Sequence, residues 1–212
     1  GHIFPASGCA GAVAHALRVV TKPGDKVLVQ APFFPEYIPY INDTGAQIEI
    51  IPARFEDFQI NFEALEQMLQ PGVAAILINS PNNPSGVAYT GETLEKLSSL
   101  LAAKSKELGY NIFLISDEPY REIAFGGREI PYPARFYPHT LTCYSFSKSL
   151  SVPGERIGYV AVCPECEHAE DIVPMCGQIS RGIGHNCPSS LIQLAAAEAV
   201  DDTADLSVYE TN

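Results

Sequence analysis

The sequence predicts an α/β protein with a doubly wound, mostly parallel seven-stranded sheet and helices on both of its faces. Short apolar segments rich in β-branched residues alternate along the chain with longer segments of helical periodicity. Several of the short segments are almost entirely apolar, as strands covered on both faces are. The composition, 46% hydrophobic and 18% charged in 212 residues, is enough to build one sizeable core.

The seven predicted strands are bounded by clusters of Gly, Pro, Asn and Asp, which favour turns. Because parallel strands in such a sheet end at one edge, the loops that follow them are expected to form a ligand site. The predicted strands are residues 2–5, 26–30, 47–51, 74–79, 111–116, 140–145 and 157–163.

The segment 91–108 shows the clearest helical signal. It begins after Thr90 and ends at Gly109, residue types that favour the two ends of a helix. Leucines at 94, 97, 100, 101 and 108 form an apolar stripe at helical spacing, which predicts burial against the sheet. The other predicted helices are residues 9–21, 34–43, 61–69, 165–180 and 188–209.

The charge and the absence of long apolar runs exclude some classes of partner. A formal net charge of −12 disfavours nucleic acid and anionic membranes as partners. No apolar run approaches the roughly 18 residues of a membrane span, and no signal peptide precedes the first strand, so we predict a cytoplasmic protein.

The six cysteines are expected to be reduced thiols, because a chain with this core does not need disulfides. Cys163 and Cys166, with His168 and Cys176 nearby, are a weaker candidate for a zinc site. The sequence lacks a second closely spaced pair of ligands, so we expect no metal.

Three predicted loops offer groups that suit a flat, phosphorylated ligand. Residues 7–12 place glycines at the start of a helix, where N–H groups can bind phosphate, although small residues there also allow close packing. Phe34, after the second strand, can stack on a flat ring or simply pack in the core. Asn83, in an Asn-Pro-Ser-Gly turn, carries an amide that suits a ring oxygen or a carboxylate.

Two further loops carry charged groups. Asp117 directly follows an apolar strand, so its burial requires a cationic partner such as a protonated pyridine nitrogen, with a helix N-cap as the alternative. Tyr120 lies three residues further on. Lys148 follows the sixth strand within Ser-Phe-Ser-Lys-Ser, and Arg156 lies eight residues after it. The serine hydroxyls and the guanidinium are suited to a phosphate. Together, these groups at successive strand ends predict a site for pyridoxal 5′-phosphate.

These residues resemble the class I/II aminotransferases of the aspartate aminotransferase superfamily, which have PLP fold type I. The D-x-x-Y pair is present at Asp117 and Tyr120, and the N-P-[ST]-G turn at Asn83. The segments Pro-Gly-Asp at 23–25 and Pro-Phe-Phe-Pro-Glu-Tyr at 32–37 are also similar to the family. The most specific pattern, S-x-S-K-x(7)-R-x-G, is matched in full by Ser145, Ser147, Lys148, Arg156 and Gly158.

The resemblance implies a PLP-dependent aminotransferase that moves an amino group between an amino acid and a 2-oxo acid. Lys148 would form the aldimine with the cofactor and shuttle the proton. Asp117 would pair with the pyridine nitrogen, while Tyr120 and Asn83 would hydrogen-bond the ring oxygen. The remaining cofactor-binding residues implied by the resemblance are Phe34, stacked on the ring, and, around the phosphate, Gly8, Cys9, Ala10, Ser145, Ser147 and Arg156.

The chain departs from the family pattern in three ways. Many relatives have Trp or Tyr at the position of Phe34, and a side-chain donor at the position of Ala10. We expect the N-terminal segment and the C-terminal small domain of the family to be absent from these 212 residues. We therefore expect residues 1–212 to be a single PLP-binding large domain, which binds the cofactor more securely than it turns over substrate. The family acts as homodimers, so we expect a homodimer in the full-length protein.

Two alternatives to an aminotransferase remain open at the level of the sequence. A PLP-dependent carbon–sulfur β-lyase on the same fold would use the same Lys148, Asp117 and Arg156. A non-catalytic aminotransferase-like sensor domain would share the fold without turnover, although the acidic chain shows no basic helix-turn-helix.

Overall fold

The computed structural model, which describes residues 1–185 and 187–201, confirms the predicted fold class. The strands form one seven-stranded sheet in the order β1-β7-β6-β5-β4-β2-β3. Three of them match the predicted ranges, and the others differ by one or two residues at one or both ends. The strands are β1 (Ile3–Ser7), β2 (Lys26–Gln30), β3 (Gln47–Ile51), β4 (Val73–Asn79), β5 (Phe113–Asp117), β6 (Thr140–Ser145) and β7 (Ile157–Val162).

The helices follow the prediction with two corrections near their starts. The second helix does not include Phe34, because a residue before a proline disfavours the α conformation. The sixth helix starts later than predicted, after His168 with its left-handed φ of 58°. Predicted residues 202–209 lie outside the described residues. The helices are α1 (Gly8–Val20), α2 (Tyr37–Asn42), α3 (Phe62–Met68), α4 (Gly91–Leu108), α5 (Phe146–Ser149), α6 (Ala169–Gly182) and α7 (Ser190–Asp201).

Helices cover both faces of the sheet. Buried side chains of α1, α2 and α6 pack on one face, and those of α3 and α4 on the other. The leucine stripe of α4 is core as predicted, with Leu94, Leu97 and Leu101 buried. Each such leucine contributes about 1.5–3 kcal/mol by leaving water.

Of the seven described strands, only β7 runs against the others. It pairs antiparallel with both β1 and β6, whereas the remaining pairs are parallel. The register places Ile157 beside Ser7 and Gly158 beside Ser145. The start of β7 therefore lies at the edge where the parallel strands end, and this brings Arg156 to that edge.

The described residues meet neither the requirements of a membrane-spanning helix nor those of a metal site. None of their helices is both long and apolar enough to cross a bilayer. Within residues 1–185 and 187–201, no group of three or more His, Cys, Asp or Glu is placed to hold a metal ion. Cys163 and Cys166 are free thiols that flank a turn, in which the Cys166 amide donates to the Cys163 carbonyl at 2.9 Å.

Candidate active site

The loops at the carboxyl edge of the sheet surround a cavity of about 320 Å³. It gathers side chains from the ends of strands that are far apart in the sequence. Gly8 is not among the lining residues, but it lies directly beneath the guanidinium of Arg156, which does line the cavity. The predicted residues that line the cavity are Cys9, Ala10, Phe34, Asn83, Asp117, Tyr120, Ser145, Ser147, Lys148 and Arg156.

The start of α1 is suited to an anion. The helix has no side-chain cap at Ser7 and no acidic residue in its first turn, so its first N–H groups have no carboxylate or hydroxyl partner from these positions. Those groups lie at the positive end of the helix dipole. Gly8 has a φ of +68°, and a Cβ on it would lie 2.5 Å from Nη2 of Arg156. The absence of a side chain therefore lets the guanidinium lie over the helix start.

Gly158 allows β7 to lie close to the start of α1. A Cβ on it would lie 2.4 Å from the carbonyl oxygen of Tyr144 and 2.9 Å from the carbonyl carbon of Gly8. Arg156 itself has a left-handed backbone, with φ 52°, a conformation that costs about 1–3 kcal/mol. Its Nη1 donates to the carbonyl of Pro153 at 2.9 Å, which orients the guanidinium. This strained, glycine-dependent packing explains the R-x-G part of the pattern.

Asp117 is a buried acid with two neutral donors. It is 6% exposed; the Cys9 thiol donates to Oδ1 at 2.6 Å and the Tyr37 hydroxyl donates to Oδ2. Burial raises the pKa of Asp117, and the two hydrogen bonds lower it by less. No ion pair among residues 1–185 and 187–201 involves Asp117. A buried acid beside a cavity, without a cation, fits a protonated ring nitrogen.

Asn79 organises the adjacent loop. Its Nδ2 donates to the backbone carbonyl of Asp117 at 2.9 Å, and its Oδ1 accepts from the backbone N–H of Asn83 at 2.6 Å. The side-chain amide of Asn83 then lies 3.5 Å from the hydroxyl of Tyr120. Burial raises the pKa of Tyr120, so its hydroxyl stays protonated and can donate. The predicted amide and phenol therefore lie side by side at the cavity.

Lys148 lies in the single-turn helix α5 and is solvent-exposed, with Nζ 5.6 Å from the centre of the Tyr120 ring. Ser145 and Ser147, which precede Lys148 in the chain, are 2% and 9% exposed. The amine thus faces the open side of the cavity while the serines lie deeper.

Sequence reasoning missed two residues that hydrogen-bond Asp117, and one further contact of Asp117. Tyr37 and Asn79 were assigned no role, and Cys9 was expected at the phosphate, whereas its thiol contacts Asp117. Tyr37 belongs to the Pro-Phe-Phe-Pro-Glu-Tyr segment that carries part of the resemblance, so its position was visible. Its hydrogen bond spans 80 residues and depends on where the fold places α2 relative to the end of β5, which the local pattern does not encode.

The raised pKa of Asp117 predicts that the contribution of Asp117 to the free energy of unfolding of the cofactor-free protein falls as the pH rises. A carboxyl with a higher pKa when folded binds more protons in the folded state. The loss begins at the ordinary value near 3.8 and continues up to the folded pKa. We expect Asp117→Asn to raise the thermal midpoint near neutral pH and to flatten its pH dependence.

Thermal melts of the cofactor-free protein between about pH 4 and pH 8 test this expectation, because the window must include the shifted titration. The exposed Asp171 supplies the control variant Asp171→Asn. Equal melting profiles for Asp117→Asn and the unmutated protein would contradict the expectation.

Comparison with known proteins gives a consistent family. The family model described as aminotransferase class I and II matches residues 2–211. A Bacillus subtilis protein named "Probable N-acetyl-LL-diaminopimelate aminotransferase" is 30% identical over 96% of this chain and 48% of its own length. An Aquifex aeolicus protein named "Probable aspartate/prephenate aminotransferase" is 36% identical over 73% of this chain and 39% of its own length.

Solved structures show the same similarity. The crystal structure of an amino transferase from Eubacterium rectale superimposes with a TM-score of 0.94 and 42% identity, over 98% of this chain and 52% of that one. The chain thus spans about half the length of the proteins that it matches.

Proposed function

Because the chain belongs to the class I and II aminotransferase family, we propose that it forms the cofactor-binding part of a pyridoxal 5′-phosphate-dependent aminotransferase. One observation carries this proposal: the amine of Lys148, the buried carboxyl of Asp117 and the guanidinium of Arg156 line a single cavity. These groups come from three segments of the chain, and the strand order is what makes them neighbours.

The residues fit the cofactor at three points. Its phosphate is suited by the uncapped start of α1, by Gly8 beneath Arg156, and by Ser145 and Ser147. Asp117, buried without a cation among the described contacts, suits its ring nitrogen. Asn83 and Tyr120, side by side, suit its ring oxygen.

When bound, pyridoxal 5′-phosphate supplies an aldehyde that condenses with amines and a ring that accepts electrons from the adjacent carbon. Lys148 would provide the amine that attaches the cofactor, and its Nζ, once released, would accept the proton of the substrate α-carbon and deliver it to the former aldehyde carbon. Asp117 would keep a proton on the ring nitrogen, and Arg156 would neutralise phosphate charge.

The substrates, the domain boundary and the assembly are part of the same proposal. We assign an amino acid and a 2-oxo acid as substrates, because the relatives are named as aminotransferases of several different substrates. Residues 1–212 would be one PLP-binding large domain, and the full-length protein a homodimer. No contact among the described residues favours the lyase or the sensor over the aminotransferase.

Borohydride reduction after incubation with pyridoxal 5′-phosphate tests the proposal directly. Proteolysis and mass spectrometry are expected to locate the reduced adduct at Lys148. The exposed Lys96 and Lys106 are internal controls, since they lie outside the cavity. An adduct spread over lysines according to their exposure would overturn the proposal.

Addition of amino acids to the loaded protein separates the two enzyme classes. Pyridoxamine 5′-phosphate is the product expected of an aminotransferase, whereas pyruvate and ammonia from a cysteine conjugate would indicate the β-lyase instead.

A further inference from the structure

Tyr144, outside the cavity lining, connects the two segments that carry Tyr120 and Lys148. It is the penultimate residue of β6 and is 4% exposed. Its hydroxyl donates to Oε2 of Glu122 at 2.9 Å and lies 2.7 Å from Oγ of Ser149. A phenol has one proton to donate, so the Ser149 hydroxyl donates to Tyr144. The result is a continuous chain from Ser149 through Tyr144 to Glu122.

Packing determines where this hydroxyl lies. The Tyr144 ring is 5.2 Å from the ring of Tyr159 and 5.3 Å, edge to face, from that of Phe146. Such aromatic contacts hold a buried ring in place. Burial also raises the pKa of Tyr144, so the hydroxyl remains protonated and keeps donating to Glu122.

The ends of the hydrogen-bonded chain are next to functional groups. Ser149 directly follows Lys148, and Glu122 lies two residues after Tyr120. On the cavity side, Nζ of Lys148 is 5.6 Å from the Tyr120 ring. The helix that carries Lys148 has four residues and no side-chain cap, so it needs contacts outside itself to keep its conformation.

We propose that Tyr144 is a positioning residue, which holds the segments of Lys148 and Tyr120 together through Ser149 and Glu122. Its importance for the reaction rests on the proposed function. The link itself is a property of the cofactor-free chain and can be measured there.

Hydrogen exchange of the cofactor-free variant Tyr144→Phe measures the link. This change removes one hydroxyl and keeps the ring packing. We expect amides in residues 119–123 and 146–150 to exchange about 3- to 10-fold faster, the effect of losing a buried hydrogen bond. Unchanged exchange in both segments would overturn the proposal.

Tyr137→Phe is the matched control. Tyr137 is 2% exposed, and its hydroxyl donates to the carbonyl of Ile112 at 2.7 Å, outside the cavity lining. It should lower the thermal midpoint comparably without changing exchange in residues 119–123 and 146–150. If both variants accelerated exchange there equally, the effect would be global, and the proposal would fail.

Glu122 is exposed, so variants at this position test the same link even if Tyr144→Phe fails to fold. Glu122→Ala is expected to reproduce the faster exchange, and Glu122→Gln, which keeps an acceptor, to restore slow exchange. Faster exchange in Glu122→Gln equal to that in Glu122→Ala would contradict the role of the hydrogen bond.

The rate of borohydride-trappable attachment at Lys148 is the second measurement. Tyr144→Phe should slow it about 3- to 10-fold, because the amine is less well placed. Faster exchange with normal trapping would make the link purely structural and would overturn positioning. If the unmutated chain formed no adduct, the proposed function would fail, while exchange would still decide whether Tyr144 links the segments.

Discussion

Replacing Lys148 with alanine is expected to abolish all borohydride-stable attachment of pyridoxal 5′-phosphate at the cavity. Lys148 is the only lysine among the cavity-lining residues described, so no other amine of the lining can substitute for it. In the full-length protein, amino transfer should fall by at least about 10²- to 10⁴-fold, the usual contribution of a positioned acid–base group. Intact mass after reduction and single-turnover spectroscopy measure the two effects.

Two variants make this result specific. Lys148→Arg keeps the positive charge but offers no primary amine, so it should fail as completely as alanine. Lys106→Ala removes an exposed lysine of α4 and should leave attachment unchanged. A cofactor adduct of normal yield in Lys148→Ala would refute the assignment of the amine.

Gly158→Ala is expected to destabilise the fold by about 1–3 kcal/mol or more, the cost of overpacking a site that cannot yield. The new methyl group would lie 2.4 Å from the carbonyl oxygen of Tyr144 and 2.9 Å from the carbonyl carbon of Gly8. Both neighbours are backbone atoms, so no side-chain rotation relieves the contact. Denaturant unfolding at equilibrium gives the change in the free energy of unfolding.

Gly154→Ala is the control for this prediction. A Cβ on Gly154 would meet no atom within 4 Å, although the residue lies only four positions earlier in the chain. Its free energy of unfolding should therefore change by no more than about 0.5 kcal/mol. Equal stability of the two variants would show that the close approach of β7 to Gly8 is not required.

Local patterns predicted the sheet well and failed where structure depends on distant packing. Strands β2, β3 and β6 were predicted to the residue because turn formers bound their apolar runs. The four-residue α5 is too short to show a helical period.

The site divides along the same line. Lys148 and Arg156 were predicted because they share one short, specific pattern, and Asp117 because an acid after an apolar strand needs a partner. The contact of the Cys9 thiol with Asp117 joins residues 108 positions apart. This contact depends on which side of β5 is covered by α1, and the local sequence of neither segment shows that.

Because β7 runs antiparallel to β6, the distance between the Lys148 amine and the Arg156 guanidinium depends on one short segment of the chain. Since β6 and β7 are adjacent and antiparallel, the segment between Lys148 and Arg156 never crosses the sheet. Its length therefore sets how far the proposed attachment point of the cofactor, Lys148, lies from the proposed phosphate anchor, Arg156. Residues added to the connections between the parallel strands would leave that separation unchanged. A single residue inserted between Lys148 and Arg156 would change it.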